Sequence, residues 1–389
     1  MKIIYISGAM KDSDFNNYIK KARFNLNPSN QNFHYRFLKA LATQTEIIAI
    51  TLRPFSKGLF AVDTLEKANT NDDHITFNYL ADNAKRFYKL FRRHRNLVKE
   101  ISTIIKAQKE DVVFLVDSLK YALAKAAIKV AKKNKIKVIA IVTDNPRLLS
   151  NESFLYAKAI ETLNKKYDGF IALSTGLNEL ANKKAKPSYV FSGFAEEITI
   201  DKPLVKEPYF FCCGALYERY GILKMIEAFK QITTKHQLLI AGHGPMIEKI
   251  RQVEKDDPRI RYVGLLSREQ VLNYESHSDL NINPRLFNED LDKYSVPSKV
   301  LEYLSSGVPL LSTIHTTLHQ EFCGEAIWIK DGTSEELRKA MELFLAFQNG
   351  EMKKKALLAK EKVLAKYGLE VQGKLLYEFI TSINSFSIN

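Results

Sequence analysis

Two doubly wound α/β domains are predicted by three features of this 389-residue chain. Apolar, β-branched runs alternate with helical patterns, which is typical of a parallel sheet covered by helices on both faces. A polar, proline-containing stretch without periodicity, residues 192–208, interrupts the alternation, which then restarts. The last part of the chain is lysine-rich and helical in pattern. We therefore predict one domain over residues 1–200, a second over residues 201–365 facing it across a cleft, and a helix over residues 366–389 that packs back toward the first.

Each predicted strand is a short run rich in Val, Ile, Leu and Phe. In the first half these runs are KIIYISG (2–8), EIIAITL (46–52), DVVFLVD (111–117), KVIAIVT (137–143) and GFIALS (169–174). In the second half they are YFFCCGAL (209–216), HQLLIAG (236–242), IRYVGLL (260–266), LNINPR (280–285) and PLLST (309–313). Helical patterns, such as residues 119–134, fill the intervals between them.

The composition is that of a soluble globular protein, with 46% hydrophobic and 26% charged residues. The start, MKIIYISGAM, is interpreted as a first strand because its apolar run is too short for a signal peptide. No run reaches the roughly 18 apolar residues that a membrane-spanning helix needs. The three cysteines, Cys212, Cys213 and Cys323, have neither a disulfide framework nor metal-ligand spacing. These observations predict a cytoplasmic protein.

The net charge of +14 lies entirely in the first half of the chain. Residues 1–200 hold 33 Lys and Arg against 19 Asp and Glu, whereas residues 201–389 hold 25 of each kind. The densest run begins at Asn83 and ends at Glu110, with nine basic and two acidic residues and apolar residues at helical spacing. It predicts an amphipathic helix with a basic face.

This helix has three interpretations. It is a solvated surface helix, or it binds anionic lipid headgroups at the inner face of a membrane, to which each nearby cation contributes about 1 kcal/mol. Nucleic acid ranks last and no nucleic-acid partner is predicted, because no helix-turn-helix, zinc finger or ribonucleoprotein motif accompanies the charge. The lipid interpretation uses the cations Arg86, Lys89, Arg92, Arg93, Arg95 and Lys99, with Phe87 and Phe91 as apolar inserts.

The segment PSKVLEYL predicts an anion site at a helix start. Pro297 suits the first helical position, where its missing N–H costs nothing. Ser298, Lys299 and Val300 then offer free backbone N–H groups, and Lys299 adds a cation, so a diphosphate is the expected ligand. Glu302, about one turn further along, can accept both hydroxyls of a ribose attached to those phosphates. The alternative is that Glu302 is a surface glutamate of an amphipathic helix.

Glycine-containing turns follow two strands of the second half. Gly214 ends one strand and precedes Arg219, and Gly242, Gly244 and Pro245 end the next. Ligands of doubly wound sheets bind outside the carboxyl ends of the strands, and glycines let a ligand approach the backbone closely. Each turn taken alone is more often only a turn.

Together these segments resemble a known family. Gly214 with Arg219-Tyr-Gly, IAGHGP, YVGLLSREQVLNYESHSDLNINPR and PSKVLEYLSSGVPLLST stand in the order and spacing of the retaining glycosyltransferases of family four. The resemblance covers about residues 209–340 and implies the GT-B fold, with a nucleotide sugar held by the C-terminal domain. In the first half, VTDNP and SGAM are similar to acceptor-side loops of capsule and exopolysaccharide members, which places Gly8 on the acceptor side.

The family motifs match this chain only in part. Glu302 falls on the ribose-binding glutamate, but Tyr294 stands where the first glutamate of the Glu-x7-Glu motif contacts the donor sugar. Arg219 lies beside the position of the usual phosphate-binding lysine, which is Tyr220 here. Cations for the leaving diphosphate are therefore expected from Arg219 and Lys299, with Lys224 as the alternative.

The resemblance also implies a mechanism with retention of configuration, in which the departing phosphate helps to deprotonate the acceptor. The donor is expected to be a UDP-sugar, bound without metal, since no Asp-x-Asp metal motif is evident and backbone amides with Arg and Lys can neutralise the leaving group. No other cofactor is expected. If a protein base exists, the candidates are Asp117, Asp144 and His34. A buried Asp at a strand end more commonly caps the following helix.

The predicted function is transfer of a sugar to a glycan or lipid-linked acceptor in surface polysaccharide assembly. Two alternatives stay open. One is a non-catalytic GT-B subunit with a degenerate donor site, which Tyr294 favours and which the presence of Glu302 and Lys299 argues against. The other is a nucleotide-sugar epimerase of the same fold, which would need acids and histidines on both sides of the cleft.

Overall fold

The chain forms two units. A computed structural model of the protein describes all residues except 25, 27, 150–152, 201, 289–291, 297, 315, 348–349 and 386–389. The first unit contains Met1–Gly193, the short segment Lys293–Ser295 and the final helix, Leu369–Ser385. The second contains Phe194–Asp292 and Val296–Gly368.

The second unit begins at Phe194 and not near residue 200, for a physical reason. The backbone N–H of Ala195 donates to the carbonyl of Tyr367 at 2.8 Å. Ala195 is also buried in the same apolar cluster as Val300 and Leu301. The residues just before position 200 therefore pack on the second unit. The final helix starts at Leu369 and lies against helix Ser29–Ala42 of the first unit, where a Cβ on Gly373 would lie 2.0 Å from the Ala40 carbonyl oxygen.

The first unit is built on an eight-stranded sheet in the order β10-β9-β8-β7-β1-β2-β5-β4. Neighbours pair in parallel except β4 and β5, which are antiparallel. The central strands are buried on both faces, which explains their continuous apolar sequences. The strands are β1 Lys2–Ser7, β2 Ile47–Thr51, β3 Thr64–Leu65, β4 Ala68–Asp72, β5 Ile75–Tyr79, β6 Asp82–Asn83, β7 Val112–Asp117, β8 Lys137–Val142, β9 Gly169–Ala172 and β10 Ser188–Val190, of which β3 and β6 form a separate pair.

Six helices between these strands cover the sheet. Helix α3 continues from a π-helical segment, Tyr88–Arg92. The helices are α1 Asp12–Lys20, α2 Ser29–Ala42, α3 Arg93–Lys106, α4 Tyr121–Asn134, α5 Phe154–Asn164 and α6 Thr175–Ala181.

The second unit has a six-stranded, all-parallel sheet in the order β13-β12-β11-β14-β15-β16. This is the strand order of the dinucleotide-binding doubly wound fold, in which the winding reverses between the first and fourth strands. The strands are β11 Tyr209–Ala215, β12 Gln237–His243, β13 Ile260–Gly264, β14 Leu280–Asn283, β15 Leu310–Thr313 and β16 Ile327–Ile329. The helices are α7 Ile222–Lys230, α8 Ile247–Asp256, α9 Arg268–His277, α10 Ser298–Ser306, α11 Thr316–Glu321, α12 Ser334–Ala346 and α13 Glu351–Tyr367; the final helix, Leu369–Ser385, is α14.

The basic helix predicted from Asn83 to Glu110 is shorter than predicted. Asn83 belongs to β6 and pairs with Thr64, and α3 ends at Lys106. Leu97, Ile101 and Ile105 are buried, so α3 packs its apolar stripe on the sheet. The preceding turns behave differently, since Phe87, Leu90 and Phe91 are 65%, 65% and 64% exposed.

Among the helices that the structure describes, none is long and apolar enough to span a membrane.

Candidate functional site

The second unit places glycine turns at the point where its sheet reverses direction. Strands β11 and β12 pair in register, so that Gly214 lies beside Gly242 at the carboxyl edge. The site above Gly214 is open, because a Cβ built there would meet no atom within 4 Å. Gly242 and Gly244 have no room for a side chain. A Cβ on Gly242 would lie 1.8 Å from the Gly214 carbonyl oxygen, and a Cβ on Gly244 would lie 2.4 Å from the Leu216 carbonyl oxygen. These two glycines are required by backbone packing, and Gly214 leaves room for a ligand.

Gly221 joins the turn after β11 to the turn after β14. Its φ is +73°, and a Cβ there would lie 1.8 Å from the carbonyl oxygen of Pro284. Only glycine fits this left-handed conformation and this close approach. The residues that flank Gly221 and Pro284, including Arg219 and Arg285, are thereby brought to the same edge of the sheet.

Helix α10 begins at this edge with a first turn free of acidic residues. Val300, Leu301 and Leu304 are buried in the core of the second unit, which fixes the face that the helix presents. Ser298 is exposed at its start. Pro297 lies outside the described residues. A helix of this kind offers unpaired backbone N–H groups and a positive dipole end at Ser298 and Lys299, as the sequence predicts.

Glu302 is held between two cations. Its Oε2 atom lies 2.7 Å from Lys299 Nζ, and its Oε1 atom lies 3.1 Å from Arg268 Nη1. The other guanidinium nitrogen of Arg268 donates to Glu196 Oε2 at 2.7 Å. Burial by itself would lower the pKa of Arg268, but the charges of Glu302 and Glu196 raise it overall. The Glu302 carboxylate is therefore oriented and kept in the field of two positive charges.

Lys299 also contacts a second carboxylate, that of Glu275. The Nζ atom lies 2.9 Å from Glu275 Oε1, and the Glu275 side chain is completely buried. Glu275 Oε2 is buried and has no hydrogen-bond partner among the described residues. Burial, opposed by Lys299, raises the pKa of Glu275 to about 7. Burial would lower the pKa of Lys299, but the two carboxylates raise it well above its ordinary value.

Arg219 is the exposed cation of this edge. Its guanidinium carbon lies 5.2 Å from the Tyr217 ring centre and 5.1 Å from that of Tyr220, so it contacts two aromatic rings, which are perpendicular to each other. No carboxylate of the described residues pairs with it. Arg285 approaches the same Tyr220 ring at 6.0 Å and pairs with Asp292 at 3.2 Å.

Two predicted residues are not brought into this cluster. Lys224 lies on α7 and pairs with Glu227 at 3.1 Å on an exposed helix face. Tyr294 belongs to the first unit, where it packs against the apolar core and beneath Lys293 Nζ at 5.8 Å.

The predicted acceptor-side residues meet at the carboxyl edge of the first unit's sheet. His34 Nε2 lies 3.2 Å from Asp117 Oδ2, and its Nδ1 lies 2.6 Å from the Tyr5 hydroxyl. Asp117 Oδ1 accepts from the backbone N–H of Leu119 at 3.0 Å, a bond within the turn that precedes α4. The N-cap position of α4 is Lys120 and has no side-chain cap, so Asp117 does not cap this helix. Burial would raise the pKa of Asp117, but His34 and these hydrogen bonds lower it. Gly8 lies under Lys120, whose Cε would be 3.2 Å from an added Cβ.

Asp117 and His34 are completely buried, so neither side chain can contact an acceptor in this structure. Asp144 at the end of β8 is exposed. Desolvation by the surrounding protein raises the pKa of Asp144 to about 6, Asp117 adds to the rise, and Thr143 and His34 oppose it. Asp144 is open to water, so solvent screening opposes this rise in its pKa. Of the three candidate bases, Asp144 is the one that an acceptor could reach.

Sequence reasoning missed five residues of these clusters, Glu196, Arg268, Glu275, Arg285 and Lys120. Arg268 and Glu275 are seven residues apart on α9 and therefore lie on one helix face. That spacing within YVGLLSREQVLNYESHSD is a signal that could have found them. Glu196 comes from the polar stretch at residues 192–208, where no sequence pattern indicates that it pairs with Arg268.

The described residues contain no group of three or more His, Cys, Asp or Glu side chains placed to hold a metal ion.

Comparison with known proteins gives a family match for one segment and a likeness in fold for the whole chain. Residues 207–346 match the family described as "Glycosyl transferases group 1". No curated protein matches. Sucrose-phosphate synthase from Thermosynechococcus elongatus superimposes with a TM-score of 0.68 at 12% identity, over 100% of both chains. Anabaena HepE in complex with UDP does so with a TM-score of 0.66 at 13% identity, over 98% of this chain and 100% of the other.

A trehalose 6-phosphate synthase from Burkholderia multivorans is similar as well, with a TM-score of 0.64 at 11% identity, over 99% of this chain and 97% of the other. At these identities the likeness concerns the fold. The predicted fold class, α/β with two Rossmann-like domains of the GT-B type, is confirmed.

Proposed function

We propose that this protein is a metal-independent glycosyltransferase that transfers a sugar, with retention of configuration, from a UDP-sugar to a glycan or lipid-linked acceptor in surface polysaccharide assembly. The observation that carries the proposal is the position of Glu302. It lies one turn inside a helix whose first turn has no acid, at the edge where the second sheet reverses. This edge is where doubly wound sheets bind nucleotides.

The charges around Glu302 fit a ribose. A carboxylate accepts hydrogen bonds from hydroxyl groups, and ion pairs with Arg268 and Lys299 fix the orientation of the Glu302 carboxylate. UDP or a UDP-sugar is bound in structures of the similar Anabaena HepE and of an E. coli trehalose-6-phosphate protein, which supports uridine as the nucleoside of the donor.

Arg219 suits the leaving diphosphate better than Lys299 does. The charge of Lys299 is shared by Glu275 and Glu302, whereas Arg219 faces solvent between two tyrosine rings. Negative charge on the diphosphate grows as the bond from the sugar C1 to the phosphate oxygen breaks. A cation and helix-start N–H groups at that place stabilise the transition state. The acceptor oxygen then bonds to C1, and its proton passes to the departing phosphate.

Asp144 is proposed to bind a hydroxyl group of the acceptor. It lies at the carboxyl edge of the first sheet with Gly8. Its raised pKa places its proton exchange closer to neutrality than that of an ordinary aspartate.

The segment before α3 is proposed to bind an anionic membrane surface. Phe87, Leu90 and Phe91 are exposed apolar side chains, and the Phe87 and Phe91 rings lie 4.9 Å apart. Exposed cations flank them at Arg86, Arg92, Arg95 and Lys99. Arg93 and Lys89 have other roles: Arg93 pairs with buried Asp82 at 2.7 Å, and Lys89 donates to the Phe55 carbonyl oxygen.

The proposal is tested by titrating UDP into the protein in a calorimeter without metal. UDP should bind to a single site, and Glu302→Gln should weaken it by about 1.5–3 kcal/mol, which is roughly 10- to 150-fold. Glu269→Gln, an exposed glutamate on α9, is the matched control and should bind as the wild type does. Equal affinity of the Glu302 variant and the wild type would remove Glu302 from the donor site.

A non-catalytic donor-binding protein is the second candidate, favoured by Tyr294. The sugar-contacting glutamate of the resembled family is absent, and Tyr294 packs in the first unit. Release of UDP from a panel of UDP-sugars, with and without acceptor, separates the two functions. Binding of UDP with no turnover of any sugar would favour the second.

A further inference from the structure

The first unit contains a cationic cavity remote from the carboxyl edge of its sheet. The cavity has a volume of about 740 Å³ and is lined by α4, by the start of β8, by His94 of α3 and by the segment before β9. It opens beside Lys137, where β8 begins, whereas Asp144 follows the other end of that strand. Five residues separate Lys137 from Val142, which is roughly 17 Å along a strand. The cavity is therefore separate from the edge that holds Asp117 and Asp144.

Six lysines and one acid line this cavity. The acid, Asp168, is already engaged, because its Oδ2 atom accepts from the backbone N–H of Val138 at 2.9 Å. The lining lysines are Lys125, Lys129, Lys132, Lys135, Lys137 and Lys166. Like charges held around one space repel each other, and that repulsion is relieved by a bound anion.

A solvated helix face does not account for this arrangement. Lys125, Lys129 and Lys132 do share one face of α4, at spacings of four and three residues, and Lys132 suits the negative end of the helix dipole. However, α4 has no acidic residue to alternate with its lysines. Lys137 and Lys166 come from two other segments and line the same cavity.

His94 provides a second, independent feature. Its Nδ1 atom is buried and has no hydrogen-bond partner among the described residues, and the side chain lines the cavity. Buried polar atoms of this kind usually find a partner. Burial, with Lys125 and Lys129, lowers the pKa of His94, so a bound anion would oppose that effect.

We propose that this cavity is a binding site for a phosphate-bearing anion with two or more negative charges. Lysine binds phosphate as a point charge, and several lysines from separate segments suit a ligand whose charges are spread over more than one phosphate. The ligand is a lipid headgroup or a free phosphate compound, which share this chemistry. The inference is independent of the proposed donor site, because it rests on different residues of a different unit.

The experiment uses pyrophosphate as the ligand and the triple variant K125Q/K129Q/K132Q. With UDP at saturation to occupy the proposed donor site, which also suits a diphosphate, wild-type protein should bind one pyrophosphate, and the triple variant should bind it at least about tenfold more weakly. The control, K20Q/K57Q/K158Q, removes the same charge from exposed lysines of the first unit outside the cavity and should bind as the wild type does. In NMR titrations, pyrophosphate should raise the pKa of His94 in the wild type and the control.

Vesicles containing anionic phospholipid separate the two sources of the ligand. If pyrophosphate displaces the protein from vesicles and the triple variant fails to bind them, the ligand is a headgroup. If pyrophosphate binds but vesicle binding is equal in all three proteins, the ligand is a free phosphate compound. Absence of saturable pyrophosphate binding, or equal pyrophosphate binding by the triple variant and the control, overturns the proposal.

Discussion

Lys299 Nζ lies 2.9 Å from Oε1 of Glu275, a carboxylate that is completely buried, and only 2.7 Å from Oε2 of Glu302. One ammonium group therefore serves two carboxylates on two helices, α9 and α10. The pairing explains why a lysine follows the start of α10, and it has consequences for stability as well as for binding.

Lys299→Met should destabilise the fold. It leaves Glu275 buried without its cation, and breaking a buried pair costs about 3–5 kcal/mol. Because the Lys299 side chain is 28% exposed, we expect a cost below that range, about 2–3 kcal/mol. Urea unfolding measures the change. Lys224→Met, which breaks an exposed pair, should cost less than about 0.5 kcal/mol, and Glu275→Gln added to Lys299→Met should restore part of the loss. Equal costs at Lys224 and Lys299 would show that the buried pair is unimportant.

Glu275 should make stability fall as the pH rises toward neutrality. Its ordinary pKa is 4.5 and its folded pKa is about 7. Between these values the folded protein keeps a proton that the unfolded chain has released, so the folded state binds more protons. The stabilising contribution is complete below about pH 4.5 and is lost as the pH passes 7. Urea unfolding at pH 5.5 and pH 8 should therefore show a steeper decline for the wild type than for Glu275→Gln. Parallel declines would contradict the raised pKa.

Arg268 should act on UDP binding through Glu302. Arg268→Gln leaves the Glu302 carboxylate with Lys299 alone, so UDP should bind more weakly, by about 1 kcal/mol. The double variant with Glu302→Gln should bind no more weakly than Glu302→Gln alone, since neighbouring changes are not additive. Calorimetry on the four proteins of this cycle measures the coupling. Additive losses would mean that Arg268 contacts the nucleotide itself.

Arg219→Gln should lower turnover more than donor affinity. Its charge is needed most when the diphosphate departs, so we expect a loss of about 10²-fold or more in kcat with a smaller change in KM. Arg219→Lys should restore little, because lysine lacks the planar guanidinium group that contacts Tyr217 and Tyr220 and that can bind a phosphate with two hydrogen bonds. Lys224→Gln is the matched control, with a cation removed from the neighbouring helix. If the Lys224 variant loses turnover and the Arg219 variant does not, the phosphate cation has been misassigned.

Membrane binding should depend on Phe87, Phe91, Arg92 and Arg95. The variant F87S/F91S should lose binding to anionic vesicles at every salt concentration, because it removes exposed apolar surface. R92E/R95E should lose it most at low salt, since screening over about 8 Å weakens the wild-type attraction at physiological salt. Co-sedimentation measures both. Arg93 is left unchanged because its loss would leave Asp82 buried and unpaired. Equal sedimentation of all three proteins would mean that this segment is a solvated surface and does not bind the membrane.

Local patterns were sufficient to predict most strands of the two sheets and the start of helix α10. Ten predicted strands are present, because runs of β-branched residues bounded by turns are strands wherever both faces are buried. Strand β5 escaped prediction because it mixes Thr and Asn with its apolar residues, and β4, β10 and β16 are too polar or too short to carry the pattern. The positions of Gly214, Gly242 and Glu302 at one edge follow from strand order and helix spacing, which are properties of neighbouring residues in the chain.

Only the tertiary structure decided which charges are shared and which are accessible. Lys299 and Arg219 have the same formal charge, yet Lys299 is held by carboxylates from 24 residues away and from its own helix, whereas Arg219 is exposed between tyrosines. Asp117 is the last residue of β7 and Asp144 follows the end of β8. The Asp117 side chain is buried against His34, whereas Asp144 is exposed to water. The sequence by itself determined the class of fold and the kinds of groups at the strand ends. Burial and pairing distances depend on contacts between distant segments, and those contacts set which of these groups remains available to a ligand.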